Sequence, residues 1–203
     1  MDIGLSTGRT ATRYLTACLR ASGLDIQHEK LGKDGGIGWP LLSECLAGRC
    51  KGARVHLIYR PAVDCMGALH RFSMPMWSGN YHPRWKRGKV RHYYPDFDTG
   101  KLVDLRLFMR YWLYINSHAL DYADTVLSFE LLKTDEGKKT LEEYYGRPVY
   151  WGAVDPKGYA FPHPRYSVED LYLADHKLAE QVMRLDRELF LAQLNPSTPD
   201  SLS

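Results

Sequence analysis

The first twenty residues constrain the fold more tightly than any other stretch. A short apolar piece, Ile3 and Leu5, turns through Ser6-Thr7-Gly8-Arg9-Thr10 and gives way to Tyr14, Leu15, Cys18 and Leu19 at helical spacing. That pattern predicts strand, loop, helix. The alternation continues, with a strand near 2–5, a helix at 10–22, a short strand at 24–28, a helix at 38–48, a strand at 53–59 and a helix at 61–72. Strands separated by helix-length segments imply a parallel sheet with crossover helices, hence an α/β fold with helices flanking the sheet.

The first loop also carries a chemical expectation. At a helix start several backbone N–H groups have no intrahelical partner and the macrodipole adds partial positive charge. A phosphate can therefore bridge the amides of Thr10, Ala11, Thr12 and Arg13, beside Gly8 and the Arg9 side chain. The alternative is an ordinary strand-to-helix turn capped by Ser6, Thr7 or Thr10. Gly8 is followed by Arg9 rather than Lys-Ser or Lys-Thr, which disfavours a Mg-nucleoside triphosphate site of the P-loop type. There is no G-x-G-x-x-G, so a dinucleotide site has no fingerprint.

The remaining pattern, G-x-x-x-G-R-T-A-T over Gly4–Thr12, resembles the phosphosulfate-binding loop of the sulfotransferases. The resemblance implies a P-loop-like three-layer α/β architecture. It also implies a donor, 3′-phosphoadenosine-5′-phosphosulfate (PAPS), whose 5′-phosphate and transferring sulfonate would meet Arg9. Ala11 stands where the family usually has glycine, a replacement that the loop geometry tolerates if the φ of Ala11 is negative. A second match is Ala53–Asp64, a buried strand ending at Arg60 and a helix opened by Pro61. In the family an arginine and a serine at such a position hold the 3′-phosphate. Arg60 matches; the serine region reads Met66-Gly67-Ala68, leaving His70, Arg71 or Ser73 as substitutes. Apart from the family, Arg60 could simply pair with a surface carboxylate.

Gly23–Lys30 places His28 and Glu29 at the end of a strand-like run, where adjacent side chains point to opposite faces. Several branches of the resembling family carry a glutamate here as the base that deprotonates the acceptor, which assigns Glu29. His28 is the alternative base, or a hydrogen-bonded structural histidine; Glu29 could equally be a solvated loop charge. The glycine-dense loop Leu31–Pro40 ends in Trp39, a candidate to stack on adenine or line the acceptor pocket, or else a core anchor.

At 203 residues, 44% hydrophobic, 25% charged and +3 in net charge, the chain is expected to be globular. Residues 1–194 read as one domain and 195–203 as a frayed tail. Cys18, Cys45, Cys50 and Cys65 form no C-x-x-C pair and sit among apolar neighbours, so buried thiols are expected, with neither zinc nor a disulfide framework. No apolar stretch is long enough to span a bilayer and Met1-Asp2 leads straight into the first strand, so reducing cytoplasm is the expected compartment.

Residues 73–99 read as a long irregular segment, an acceptor-site loop or lid. Its aromatic and basic side chains suit a sugar, a phenol or an anionic polymer; the alternatives are a solvated cationic lid or a nucleic-acid patch. Lys101–Tyr122 fits a long amphipathic helix. Asp124–Leu132 resembles the strand and Phe-Glu-x-Leu segment that follows that helix in sulfotransferases, with Glu130 expected to cap a helix or pair with a core arginine. A late basic loop over the donor could use Lys157 or Arg165, and the last helix is expected near 167–193.

The expectation is thus a sulfotransferase moving a sulfonate from PAPS to a hydroxyl or amine of a small-molecule, glycan or peptide acceptor, without a metal and with nucleic acid an improbable partner. The competing readings are a P-loop phosphotransferase of kinase type and a nucleotide- or polyanion-binding module without turnover.

Overall fold

The structure, a computed structural model, describes residues 1–8, 11–78, 89–97, 105–155 and 164–194. Five parallel strands form one sheet: β1 (Asp2–Ser6), β2 (Ile26–His28), β3 (Gly35–Ile37), β4 (Arg54–Tyr59) and β5 (Thr125–Ser128), in the order β2-β3-β1-β4-β5. The expected α/β architecture is what the chain adopts.

Alternation along the strands divides the core into two faces. Ile3, Leu5, Val55, Leu57, Tyr59 and Val126 point to one side. There they meet α3 (Ala62–Ser78), α5 (Leu105–Leu120), α7 (Val168–Ala174) and α8 (His176–Leu194). Ile26, Ile37, Ile58 and Leu127 point the other way, onto α1 (Thr12–Ala21) and α6 (Asp135–Tyr145). Parallel strands covered on both faces carry few polar residues, as β4 shows with five consecutive buried positions.

His56 is the exception in β4. It lies on the α6 side, fully buried, with Gly4 beneath it and the rings of Tyr144 and Tyr145 at 4.9 and 5.7 Å. Burial pushes its pKa from 6.5 down to about 3, helped by the charge of Arg54, so the native imidazole is neutral. The unfolded chain therefore binds one more proton between those two values. Stability is full above pH 6.5 and is expected to fall by up to about 1.4 kcal/mol per pH unit as pH drops toward 3. Denaturant titrations at several pH values should show that slope, and His56→Leu should flatten it.

The segment read as a glycine-dense loop contains a strand. Gly35-Gly36-Ile37 inserts between β1 and β2, pairing Asp2 with Gly35 and Ile26 with Gly35 on its two sides. A Cβ on Gly35 would lie 1.8 Å from the Asp2 carbonyl oxygen, and one on Gly36 would lie 2.1 Å from that of Lys30. Glycine here reports close approach of backbones, not a loop.

Other boundaries shift for local reasons. The helix expected at 38–48 is a 3₁₀ turn, Trp39–Leu41, followed by the short α2 (Leu42–Leu46). The last helix is interrupted at Asp175, whose backbone is extended and whose carboxylate accepts the Leu178 N–H to start α8. Within 73–99, α3 continues to Ser78 and α4 spans Lys89–Tyr93, so this stretch is not irregular throughout. The expectation of four reduced thiols is also corrected: Cys45 and Cys50 form a disulfide across the turn after α2, while Cys18 and Cys65 are free and buried. The turn brings two cysteines within 4.7 Å between Cα atoms, a proximity that their spacing in sequence does not advertise. Among the described residues no helix is long and apolar enough to cross a membrane.

Candidate functional site

The carboxyl ends of all five strands share one edge of the sheet. From β1 the chain leaves over one face through α1 toward β2, and from β3 it leaves over the other face through α2 toward β4. The two connections leave on opposite faces, the topology that in open α/β sheets places a ligand crevice outside the strand ends, here those of β1 and β3. Three of the segments expected to carry function end there: Thr7-Gly8 after β1, His28-Glu29 after β2 and Trp39 after β3. Arg60 follows β4 on the far side of β1.

Arg9 and Thr10 lie outside the described residues; Gly8 and Ala11 flank them. On its near side the Gly8 N–H donates to the Ser6 hydroxyl oxygen at 3.2 Å, so this amide serves the turn itself. Gly8 has a φ of +81°, a left-handed conformation suited to glycine, and sits over Trp39, 3.6 Å from a Gly8 Cβ position. On the far side Ala11 precedes α1 with φ +56°, ψ +22° and no side-chain cap. The negative φ on which an alanine at this position was expected to depend is not what the chain adopts. A left-handed non-glycine residue costs roughly 1–2 kcal/mol, so Ala11→Gly is expected to raise stability by about 1 kcal/mol in urea unfolding.

The α1 terminus retains the features an anion needs. The hydrogen-bond ladder begins with the Leu15 N–H on the Ala11 carbonyl, so the amides of Thr12 and Arg13 precede it. No acidic residue occupies the first turn, and the Arg13 side chain is exposed. Thr12 contributes its backbone; its hydroxyl is 3.1 Å from His28 Nε2 and buried.

His28 and Glu29 diverge as alternation requires. His28 turns toward α1 and engages Thr12, which makes it a brace for the helix start. Glu29 turns toward the crevice, where its Oε1 accepts the Trp39 indole N–H at 3.0 Å. Its backbone is also left-handed, φ +59°, held by the Glu29 N–H on the Ile37 carbonyl and by Gly38, where a Cβ would come within 3.0 Å of Glu29. A non-glycine residue in this conformation is uncommon and marks a position the surroundings impose. Trp39 is the core anchor of its two readings: it is 4% exposed, with the Tyr93 ring edge-on at 5.3 Å and the Tyr94 hydroxyl donating to its carbonyl.

Arg60 leaves β4 with its carbonyl accepting the Trp112 indole N–H at 3.2 Å. Its guanidinium lies 5.2 Å over the ring of Phe129, the residue that follows β5. Lys133 approaches the same ring at 4.4 Å and pairs with Glu130 at 2.6 Å. Glu130 is thus bound to a surface lysine; Thr134 is the residue that caps α6. Two cations are thus grouped on one aromatic ring at the β4–β5 end of this edge, with the Glu130 carboxylate offsetting the charge of Lys133.

Of the substitutes for the missing serine, His70 is taken up by Tyr166, which hydrogen-bonds its Nδ1 and stacks on its ring. Arg165 is exposed beside Tyr166, and Lys157 lies outside the described residues. In the expected acceptor segment Tyr94 and Phe97 are core residues packed on Tyr114, so the described aromatic content of 89–97 is largely structural. A separate cleft of about 450 Å³ between Phe97, Tyr114 and Leu178, rimmed by Arg110 and Lys177, includes none of the expected donor-site or base residues, while Asp96 and Phe97 of the expected acceptor segment line it.

Tyr111 and Trp112 also belong to this edge and were given no functional role from the sequence. Tyr111 and Trp112 sit on the apolar stripe of an amphipathic helix, where a buried hydroxyl or indole N–H looks like any other core aromatic. No family model, no curated protein and no solved structure matches the chain.

Proposed function

We propose that the protein is a PAPS-dependent sulfotransferase, moving a sulfonate to the hydroxyl or amine of a small-molecule, glycan or peptide acceptor. The observation that carries this reading is the convergence of the start of α1, where Ala11 supplies no cap, the Glu29 carboxylate and the Arg60 guanidinium on one edge of a parallel sheet. The amides of Thr12 and Arg13 would receive the 5′-phosphosulfate together with Arg9, Thr10 and Ala11, and Arg60 with its neighbour Lys133 would attract the 3′-phosphate.

In-line displacement at sulfur asks little covalent chemistry of the protein. The acceptor oxygen forms its bond to sulfur as the bond to the bridging phosphate oxygen breaks, the acceptor proton passes to Glu29, and cationic groups and amides stabilise the charge on the leaving phosphate. The Glu29 N–H on the Ile37 carbonyl fixes the backbone that carries this base.

A binding module without turnover is the second reading, favoured by the left-handed Ala11 and by the Trp39 bond that Glu29 already makes. Calorimetric titration with 3′-phosphoadenosine-5′-phosphate against ATP with magnesium tests the site. Preference for the bisphosphate supports the donor assignment, and preference for ATP favours a phosphotransferase. Bisphosphate binding without turnover in an acceptor screen favours the module.

A further inference from the structure

One peptide unit at the head of the candidate loop is held on both sides. The plane joining Thr7 to Gly8 offers a carbonyl oxygen and an N–H that point in opposite directions. The Tyr111 hydroxyl donates to that carbonyl at 3.1 Å, and the Gly8 N–H donates to the Ser6 hydroxyl oxygen at 3.2 Å. A third contact fixes the Thr7 side chain, whose hydroxyl lies 3.3 Å from the Cys65 sulfur. Ser6, Thr7, Cys65 and Tyr111 are all buried, at 1% exposure or less.

Two of these contacts arrive from helices. Cys65 of α3 and Tyr111 of α5 both meet Thr7, while farther along α3 His70 packs against Phe108, farther back in α5, at 5.5 Å. Rising numbers in one helix meet falling numbers in the other, so α3 and α5 run antiparallel and reach the loop together. Burial, with Tyr94, Cys65 and Glu29 nearby, keeps the Tyr111 hydroxyl protonated well beyond the ordinary tyrosine range and therefore a donor.

We propose that Tyr111 is the positioning residue of the β1–α1 loop: by fixing the Thr7–Gly8 peptide plane it sets the direction in which the chain leaves toward the start of α1. Ala11, the residue before that helix, supplies no side-chain cap, and the loop is held at its Thr7 end by the contacts of Tyr111 and Ser6. Tyr111 would touch no ligand and would act through Thr7. The consequence for donor affinity rests on the proposed anion site; the consequence for loop order does not.

The test compares Tyr111→Phe with Tyr145→Phe, which removes another buried hydroxyl, one that faces His56 on the opposite side of the sheet. Amide hydrogen exchange is followed over residues 6–13 and referenced to α8 in each protein, so global destabilisation cancels. Tyr111→Phe is expected to accelerate exchange in the loop by about tenfold beyond any change in α8, whereas Tyr145→Phe should not. Ser6→Ala, which releases the other side of the same plane, should reproduce the loop signature. In parallel, 3′-phosphoadenosine-5′-phosphate affinity should fall about tenfold in Tyr111→Phe and stay unchanged in Tyr145→Phe.

Loop exchange in Tyr111→Phe that matches wild type after referencing overturns the positioning role. Faster loop exchange in Tyr111→Phe and in Ser6→Ala, with wild type that does not bind the bisphosphate, sustains the positioning role and removes the anion reading. Failure of Tyr111→Phe to fold leaves Ser6→Ala to decide: unchanged loop exchange in that variant overturns the proposal.

Discussion

Replacing Glu29 by glutamine is expected to lower sulfonate transfer by about 10²–10⁴-fold, the usual contribution of a positioned general base. Affinity for 3′-phosphoadenosine-5′-phosphate should remain within about twofold, because a base acts on the acceptor proton and not on the donor. Glutamine is chosen because its amide oxygen can still accept the Trp39 indole N–H, preserving the bond that holds the side chain at 3.0 Å. A loss of rate therefore reports lost basicity, not a displaced tryptophan. Single-turnover assays and bisphosphate calorimetry on the same preparation separate the two quantities. A variant that loses bisphosphate binding in proportion to rate would assign Glu29 to the donor pocket or to loop structure, and a variant with full activity would leave His28 as the base to examine.

Gly35→Ala is expected to be more damaging than an added methyl at the other described glycines. The added Cβ would sit 1.8 Å from the Asp2 carbonyl oxygen, and the residue would have to keep φ +144°, a conformation that L side chains rarely adopt. Ordinary overpacking costs about 1–3 kcal/mol when neighbours can move aside. Here the neighbour is the backbone of β1, the central strand, which is paired on both sides. The cost should exceed about 4 kcal/mol, a large part of the stability of a domain of this size. Circular dichroism in a urea series measures it. Gly48→Ala is a useful comparison: nothing lies within 4 Å of its added Cβ, and only the left-handed φ of +74° opposes it. Equal stability of the two variants would contradict the crowding of β3 between its neighbours.

The strand–helix alternation was legible because it rests on local pattern. Ile3 and Leu5, Val55, Leu57 and Tyr59, and the helical spacing of Leu15, Cys18 and Leu19 each reveal their element from side-chain periodicity alone. β3 was not legible, because Gly35 and Gly36 have no side chains to alternate and their propensity is that of a loop. They form a strand only because the backbones of Asp2 and Lys30 come too close for any larger residue. The Cys45–Cys50 bridge was hidden for a similar reason, since a turn must first bring the two sulfur atoms together. The aromatics of 89–97 look like ligand-binding groups in sequence, yet Tyr94 and Phe97 fill the core beside Trp39 and Tyr114.

By itself, the sequence determined that strands and helices alternate, that the first strand passes through a short glycine turn into a helix, and that acidic and basic residues stand just beyond later strands. Those features are local, fixed by side-chain spacing and backbone preference within a dozen residues. Tertiary structure alone decided the order of the strands, and with it the assembly of Thr7, Glu29, Trp39 and Arg60 at a single edge. It also decided that His28 braces α1 while Glu29 faces the crevice, and that a tyrosine a hundred residues away fixes the first turn. The physical reason is that hydrogen bonds and burial depend on which backbones lie side by side, and in a parallel sheet those neighbours are set by crossovers that no local pattern encodes.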